Sequence, residues 1–133
     1  MATVYGPRQR PDGGVVAALH AAARSASAGE IHGDGRQTRD LLFVDDAVDA
    51  LVRAAERGGG LLVNVGTGEQ TSMRELWSAL TDGSVDPPLV PTAGRHDDLV
   101  RFAVSPVRAR IHLQWSPWTS LADGLARLDE PTS

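Results

Sequence analysis

The side chains available for chemistry in this 133-residue chain are narrowly restricted. All 13 basic residues are arginines, so Schiff-base chemistry, a P-loop lysine and any lysine acid or base are excluded. Cysteine is absent as well, which removes disulfides, zinc thiolate sites and thiol nucleophiles. Chemistry is left to His, Asp, Glu, Ser, Thr, Arg and a single tyrosine, Tyr5.

Within that inventory, Gly33-Asp34-Gly35-Arg36-Gln37-Thr38-Arg39-Asp40 places two arginines in one glycine-bearing loop. Guanidinium forks match phosphate or carboxylate oxygens, and the same arginines can instead pair with Asp34 or Asp40; the residues alone favour that plainer use. Arg95-His96-Asp97-Asp98 sets a cation beside two carboxylates, either as a ligand clamp or as solvated loop charge. Gly66-Thr67-Gly68-Glu69-Gln70-Thr71 has the strand-to-helix setting of a dinucleotide fingerprint but lacks its third glycine and a spaced acidic ribose ligand, so it reads as an ordinary turn. Asp45-Asp46 reads as helix capping. His20 and His112 fall on helical stretches with no metal-ligand spacing around them, so no metal site is expected. Trp77, Trp115 and Trp118 read as packing residues.

The elements that would position these groups follow from periodicity. Val4-Tyr5 ends a strand at Gly6-Pro7, and Val15, Val16, Leu19, Ala22 and Ala23 recur at helical spacing. Leu41 to Val44 is a short apolar strand feeding a helix through Val48, Leu51, Val52 and Ala55 that stops at Gly58-Gly59-Gly60. Leu61 to Val65 is the clearest strand. Ser72-Met73-Arg74-Glu75 is a capping box ahead of Leu76, Trp77 and Leu80. Pro87-Pro88 and Pro91 keep the chain extended, Ser105-Pro106 opens a helix to about Leu113, and Thr119-Ser120 opens the last one. The pattern predicts an α/β fold with two or three mainly parallel strands and about five helices, in one domain spanning 1–133.

Hydrophobic residues make up 41% of the chain and charged residues 23%, a globular balance. A net charge of -4 and a pI near 5.4 run against phosphate-backbone binding, so nucleic acid is not an expected partner. Apolar runs fall far short of the roughly 18 residues that span a bilayer, and the N-terminus lacks signal-peptide character; no membrane association and a cytoplasmic location are expected.

Taken together, Thr3-Val4-Tyr5-Gly6-Pro7-Arg8-Gln9-Arg10-Pro11-Asp12, Gly33 to Asp40, Phe43-Val44-Asp45-Asp46, Val63-Asn64-Val65-Gly66-Thr67-Gly68-Glu69, Arg95 to Asp98 and Ala109-Arg110 to Trp115 resemble the second half of NAD-dependent epimerases/dehydratases, the extended short-chain dehydrogenases/reductases. The resemblance covers nearly the whole chain in order, and its opening is most similar to the UDP-glucuronate 4-epimerase side of the family. It implies a truncated member, a remnant of a Rossmann-type sheet with the substrate-binding subdomain. The glycine-rich NAD turn and the catalytic Tyr-x-x-x-Lys pair belong to the family's first half, and a chain without lysine cannot contain that pair.

Carried across residue by residue, the resemblance implies that Arg39 and Arg95 reach the phosphates of a nucleotide sugar, with Asp98 accompanying Arg95. It places Thr3 beside the substrate, Tyr5 where the chain passes a nicotinamide supplied by a complementary chain, and Val15 and Val16 beside the base. His32 stands where the family has an aromatic residue, His96 and Asp97 replace Pro and Gly, and Gln114 replaces a helix-ending Gly. The expected function is nucleotide-sugar binding or an accessory or split-enzyme role, without NAD bound by this chain alone. One alternative is a cofactor-independent isomerase or cyclase using His96, Asp97, Asp98 and Tyr5; another is a structural relic. Either a homo-oligomer or a partner chain is expected to cover the sheet edge.

Overall fold

The computed structural model describes residues 1–57, 59–93 and 100–131. The chain runs β1 (Thr3–Tyr5), α1 (Val15–Arg24), β2 (Gly29–His32), β3 (Thr38–Arg39), β4 (Leu41–Phe43), α2 (Val44–Arg57), β5 (Thr71–Ser72), α3 (Met73–Leu80), β6 (Leu89–Thr92), α4 (Val107–Leu113) and α5 (Leu121–Ala126). This is the expected small α/β organisation, with five helices among the described residues. The strands form three pairs: β1 with β4 and β2 with β6 are parallel, and β3 with β5 is antiparallel. Four of these strands escape the sequence pattern because they are only two to four residues long and carry no apolar run.

The β1–β4 pair separates two cores. Side chains alternate across a strand, so Leu41 and Phe43 face one side and Leu42 the other, and all three are buried. On the first side, Tyr5, Leu41 and Phe43 meet Val16 and Leu19 of α1, Ile31 of β2 and Met73, Leu76 and Trp77 of α3. On the second, Leu42 packs with Ala47 and Ala50 of α2, Val65, and Ala109, Leu113 and Trp115 at α4. Helix α3 begins with the expected capping box: Ser72 Oγ accepts from Glu75 N–H at 3.1 Å, and Glu75 Oε2 accepts from Ser72 N–H at 2.7 Å. Gln114 ends α4 in the left-handed region at φ 51°, the conformation that glycine favours at that position. Its carbonyl accepts from Arg53 Nη1 at 2.7 Å and its side chain from Arg57 Nη1 at 2.6 Å.

Two expectations are corrected. Leu61 to Val65 is not a strand: among the described residues its one backbone bond to the sheet is Ala2 N–H to Val65 O at 2.8 Å, and Leu62 is 82% exposed. An apolar run gives a ladder only where a neighbouring strand supplies several donors and acceptors, and one bond does not make a ladder. Asp45 and Asp46 do not act together as a cap. Asp45 pairs with Arg127 at 2.9 Å, whereas Asp46 is fully buried and accepts from Trp118 N–H, Thr119 N–H and Thr119 Oγ1 at 2.9, 2.9 and 2.6 Å. Its carboxylate staples the entry to α5 onto the start of α2.

Candidate functional site

The side chains that the sequence singles out meet in part. A cleft of about 380 Å³ opens between the loop before α1, the start of α1, strand β2 and the β3 segment, with Met73 of α3 also in its wall. Val15, His32 and Arg39 all border it, together with Asp12, Glu30, Ile31 and Gln37. Each reaches the cleft for a local reason. Val15 opens α1, whose next residue, Val16, turns inward and is buried. His32 and Glu30 are alternate residues of β2, so they share the exposed face while Gly29 and Ile31 face inward. Gly29 is needed there, since a Cβ would lie 2.7 Å from the Trp77 ring.

Arg39 ends β3 opposite Thr71 of β5, and its Nη1 donates to Thr38 O at 2.8 Å. Arg36, the other loop arginine, takes the plainer role: it sits 3.6 Å from Asp34 and is largely exposed. The His32 ring is fixed by its neighbours. Nδ1 lies 3.1 Å from Ala93 O and 3.3 Å from Thr92 Oγ1, and the Thr92 hydroxyl gives its own hydrogen to Ile31 O at 2.9 Å. Both neighbours can therefore only accept, so Nδ1 carries the proton and Nε2 is the nitrogen left to interact elsewhere. Gln37 Nε2 donates to the His32 carbonyl at 2.5 Å, which ties the arginine-bearing loop to β2.

The glycine turn at Gly66-Thr67-Gly68 is explained by Asp40. That fully buried carboxylate accepts from Thr67 N–H at 3.0 Å, Thr67 Oγ1 at 2.6 Å, Gly68 N–H at 3.0 Å and Val104 N–H at 3.2 Å. A turn of backbone donors is an anion nest, and here the anion is the chain's own. A Cβ at Gly66 would collide with the Val104 side chain and lie 2.7 Å from Asp40 Oδ2, so close approach of both accounts for the glycine. With these donors committed, the turn does not fit the pyrophosphate of a dinucleotide.

The other predicted residues lie elsewhere. Thr3 pairs with Leu41 in the strand interior. Tyr5 is buried against Phe43, with ring centroids 5.6 Å apart at 72°, and its hydroxyl touches Gly124. Burial, then the charges of Asp46 and Asp123, push its pKa up to about 12, so it holds its proton throughout the neutral range. Arg95, His96, Asp97 and Asp98 lie outside the described residues. His20 pairs with Asp129 at 3.3 Å in a separate recess between α1, α3 and α5, and no metal-ligating cluster occurs among the described residues. Among the cleft residues that sequence reasoning missed are Asp12, Glu30, Ile31, Gln37 and Met73; the alternation of Glu30 with His32 could have signalled one of them.

The cleft sets the Arg39 guanidinium and the His32 imidazole around the aliphatic Val15 and Ile31, with the carboxylates of Asp12 and Glu30 also in its wall; the arginine fork can receive phosphate or carboxylate oxygens. Residues 1–66 match the model of the NAD dependent epimerase/dehydratase family. The UDP-glucose 4-epimerase of Mycolicibacterium smegmatis is 48% identical over 134 residues, covering 97% of this chain and 42% of the relative. The solved UDP-glucose 4-epimerase of Thermotoga maritima, with UDP-glucose, superposes with a TM-score of 0.89 at 35% identity, over 96% of this chain and 42% of that one. The UDP-glucuronic acid 4-epimerase of Bacillus cereus, in complex with UDP-glucuronic acid and NAD, gives 0.86 at 32% identity over 96% and 41%. The chain thus spans about two fifths of the length of these relatives. Shared sequence over nearly its entire length, in the same fold, identifies the chain as a member of the NAD dependent epimerase/dehydratase family.

Proposed function

We propose that this chain binds a nucleotide sugar in the cleft bordered by Val15, His32 and Arg39, as the substrate-side part of an epimerase/dehydratase. The observation that carries this reading is the convergence of those three residues, distant in sequence, on one cleft of ligand size. Support comes from relatives described with UDP-glucose and UDP-glucuronic acid. Arg39 binds the diphosphate, with Arg95 and Asp98 completing the contact, and Val15 and His32 flank the base.

The chain acts as a binding or accessory subunit, or as one part of a split enzyme, and is not competent for hydride transfer by itself. It contains no lysine for a Tyr-x-x-x-Lys pair, and its glycine turn is occupied by Asp40. NAD is engaged only with a complementary chain, near Tyr5. Calorimetric titration with UDP, UDP-glucose and UDP-glucuronate, with Arg39→Ala and Arg95→Ala alongside, tests the reading. Each variant is expected to lose about 1.5–3 kcal/mol of binding, the range for hydrogen bonds to charged groups. Equal affinity in both variants and the parent removes the site assignment.

A further inference from the structure

The polar groups of the Arg39 cleft divide by kind. Arg39 brings a cation, whereas the exposed face of β2 brings acceptors. His32, with its proton on Nδ1, presents Nε2, and Glu30 presents a carboxylate two residues away, about 7 Å along the strand. The other carboxylate in the wall, Asp12, is paired with Arg10 at 2.9 Å, and the Gln37 amide nitrogen is committed to the His32 carbonyl at 2.5 Å. Glu30 differs from both: its side chain is exposed, and among the described residues no donor or cation holds its carboxylate. A bare carboxylate in a cleft that receives a diphosphate repels its own ligand unless the ligand returns hydrogen-bond donors to it.

We propose that Glu30 recognises the ribose of the ligand: its carboxylate oxygens accept from the 2′- and 3′-hydroxyls, so the cleft prefers ribonucleotides to 2′-deoxyribonucleotides. The inference rests on the nucleotide-sugar reading and adds which part of the nucleotide is discriminated, and by what. In a nucleoside diphosphate the ribose lies between base and diphosphate. Glu30 borders the same cleft as His32, which flanks the base, and Arg39, which takes the diphosphate. Of these three parts of the ligand, the ribose alone presents two hydroxyl donors on adjacent carbons, a pattern that a carboxylate accepts. A uracil edge offers one N–H between two carbonyl oxygens that a carboxylate repels, and an ionised diphosphate offers no donor. The strand that carries Glu30 is held from its inner face, by Gly29 against the Trp77 ring and by buried Ile31, and by its register with β6. The carboxylate therefore projects from a fixed backbone.

Calorimetric titration of UDP and of 2′-deoxy-UDP, which differ only in the 2′-hydroxyl and carry no hexose, tests it on the parent chain and on Glu30→Ala. The parent is expected to prefer UDP by at least about 10-fold, the size of one hydrogen bond to a charged group. Glu30→Ala is expected to bring the two affinities within about twofold of each other. Loss of the negative charge alone moves both ligands by the same factor, so the ratio isolates the hydroxyl contact. Equal affinity of the parent for the two ligands overturns the proposal and leaves the nucleotide-sugar reading standing. So does a preference for UDP that Glu30→Ala retains. Binding of neither ligand by the folded parent chain overturns the nucleotide-sugar reading and the proposal with it.

Discussion

Arg39 and His32 owe their place in the cleft to unlike restraints, and this decides what each substitution should do. Arg39 is carried by the backbone of β3, and its Nη1 donates to Thr38 O at 2.8 Å; weaker UDP-sugar binding is the expected result of Arg39→Ala. Glu75 offers a stability test on a single carboxylate. The Ser72 backbone N–H, then its hydroxyl, hold the Glu75 carboxyl below the ordinary glutamate value. A depressed folded pKa means that the stabilisation is complete above the unfolded value and disappears as pH falls through the folded one. The stability gap between the parent chain and Glu75→Gln should therefore be present near pH 6 and close as pH is lowered through and below the ordinary glutamate range, followed by thermal melts. A gap independent of pH contradicts the capping role. At this scale the sequence was legible where one local pattern decides: the capping box, and the arginine-bearing loop. It was silent on Asp40 and Asp46, because what makes them buried acceptors is a set of N–H donors 27 to 73 residues away in the chain.

Among the elements, α5 depends on contacts that its own sequence does not reveal. Gly124 sits within a helix where alanine would ordinarily be favoured by about 1 kcal/mol, yet a Cβ there collides with the Tyr5 hydroxyl and ring. Gly124→Ala is expected to destabilise by about 1–3 kcal/mol in denaturant unfolding, as overpacking does, and a stabilised variant contradicts this packing. Asp46→Ala should cost at least about 2 kcal/mol, since it leaves the Trp118 and Thr119 donors without their acceptor. Helices α1 to α5 could be read from periodicity and capping because those signals are local. Strands β2, β3, β5 and β6 could not, since a two-residue strand such as Thr38–Arg39 is defined by its partner rather than by its own composition. The same logic runs in reverse for Leu61 to Val65, where strand-like composition meets a single backbone bond.

For the whole molecule, two surfaces with different demands emerge. One is the cleft, polar at Arg39, His32 and Glu30; the other is the apolar outer face of α2. An unpartnered apolar surface was expected from the resemblance, but along a sheet edge. The segments expected to carry it are Ala2 to Tyr5 and Leu61 to Val65: Ala2 and Tyr5 are buried, Leu61 and Leu62 are exposed, and further exposed apolar residues lie on α2. Among the described residues, no helix is long and apolar enough to cross a membrane. Calorimetric titration of UDP-glucuronate into the parent chain and Arg39→Ala tests most directly whether the cleft is a nucleotide-sugar site. Saturable binding to the parent, weakened about 10-fold or more by the substitution, is the predicted result. No binding by the folded parent chain, or binding that Arg39→Ala leaves unchanged, contradicts it.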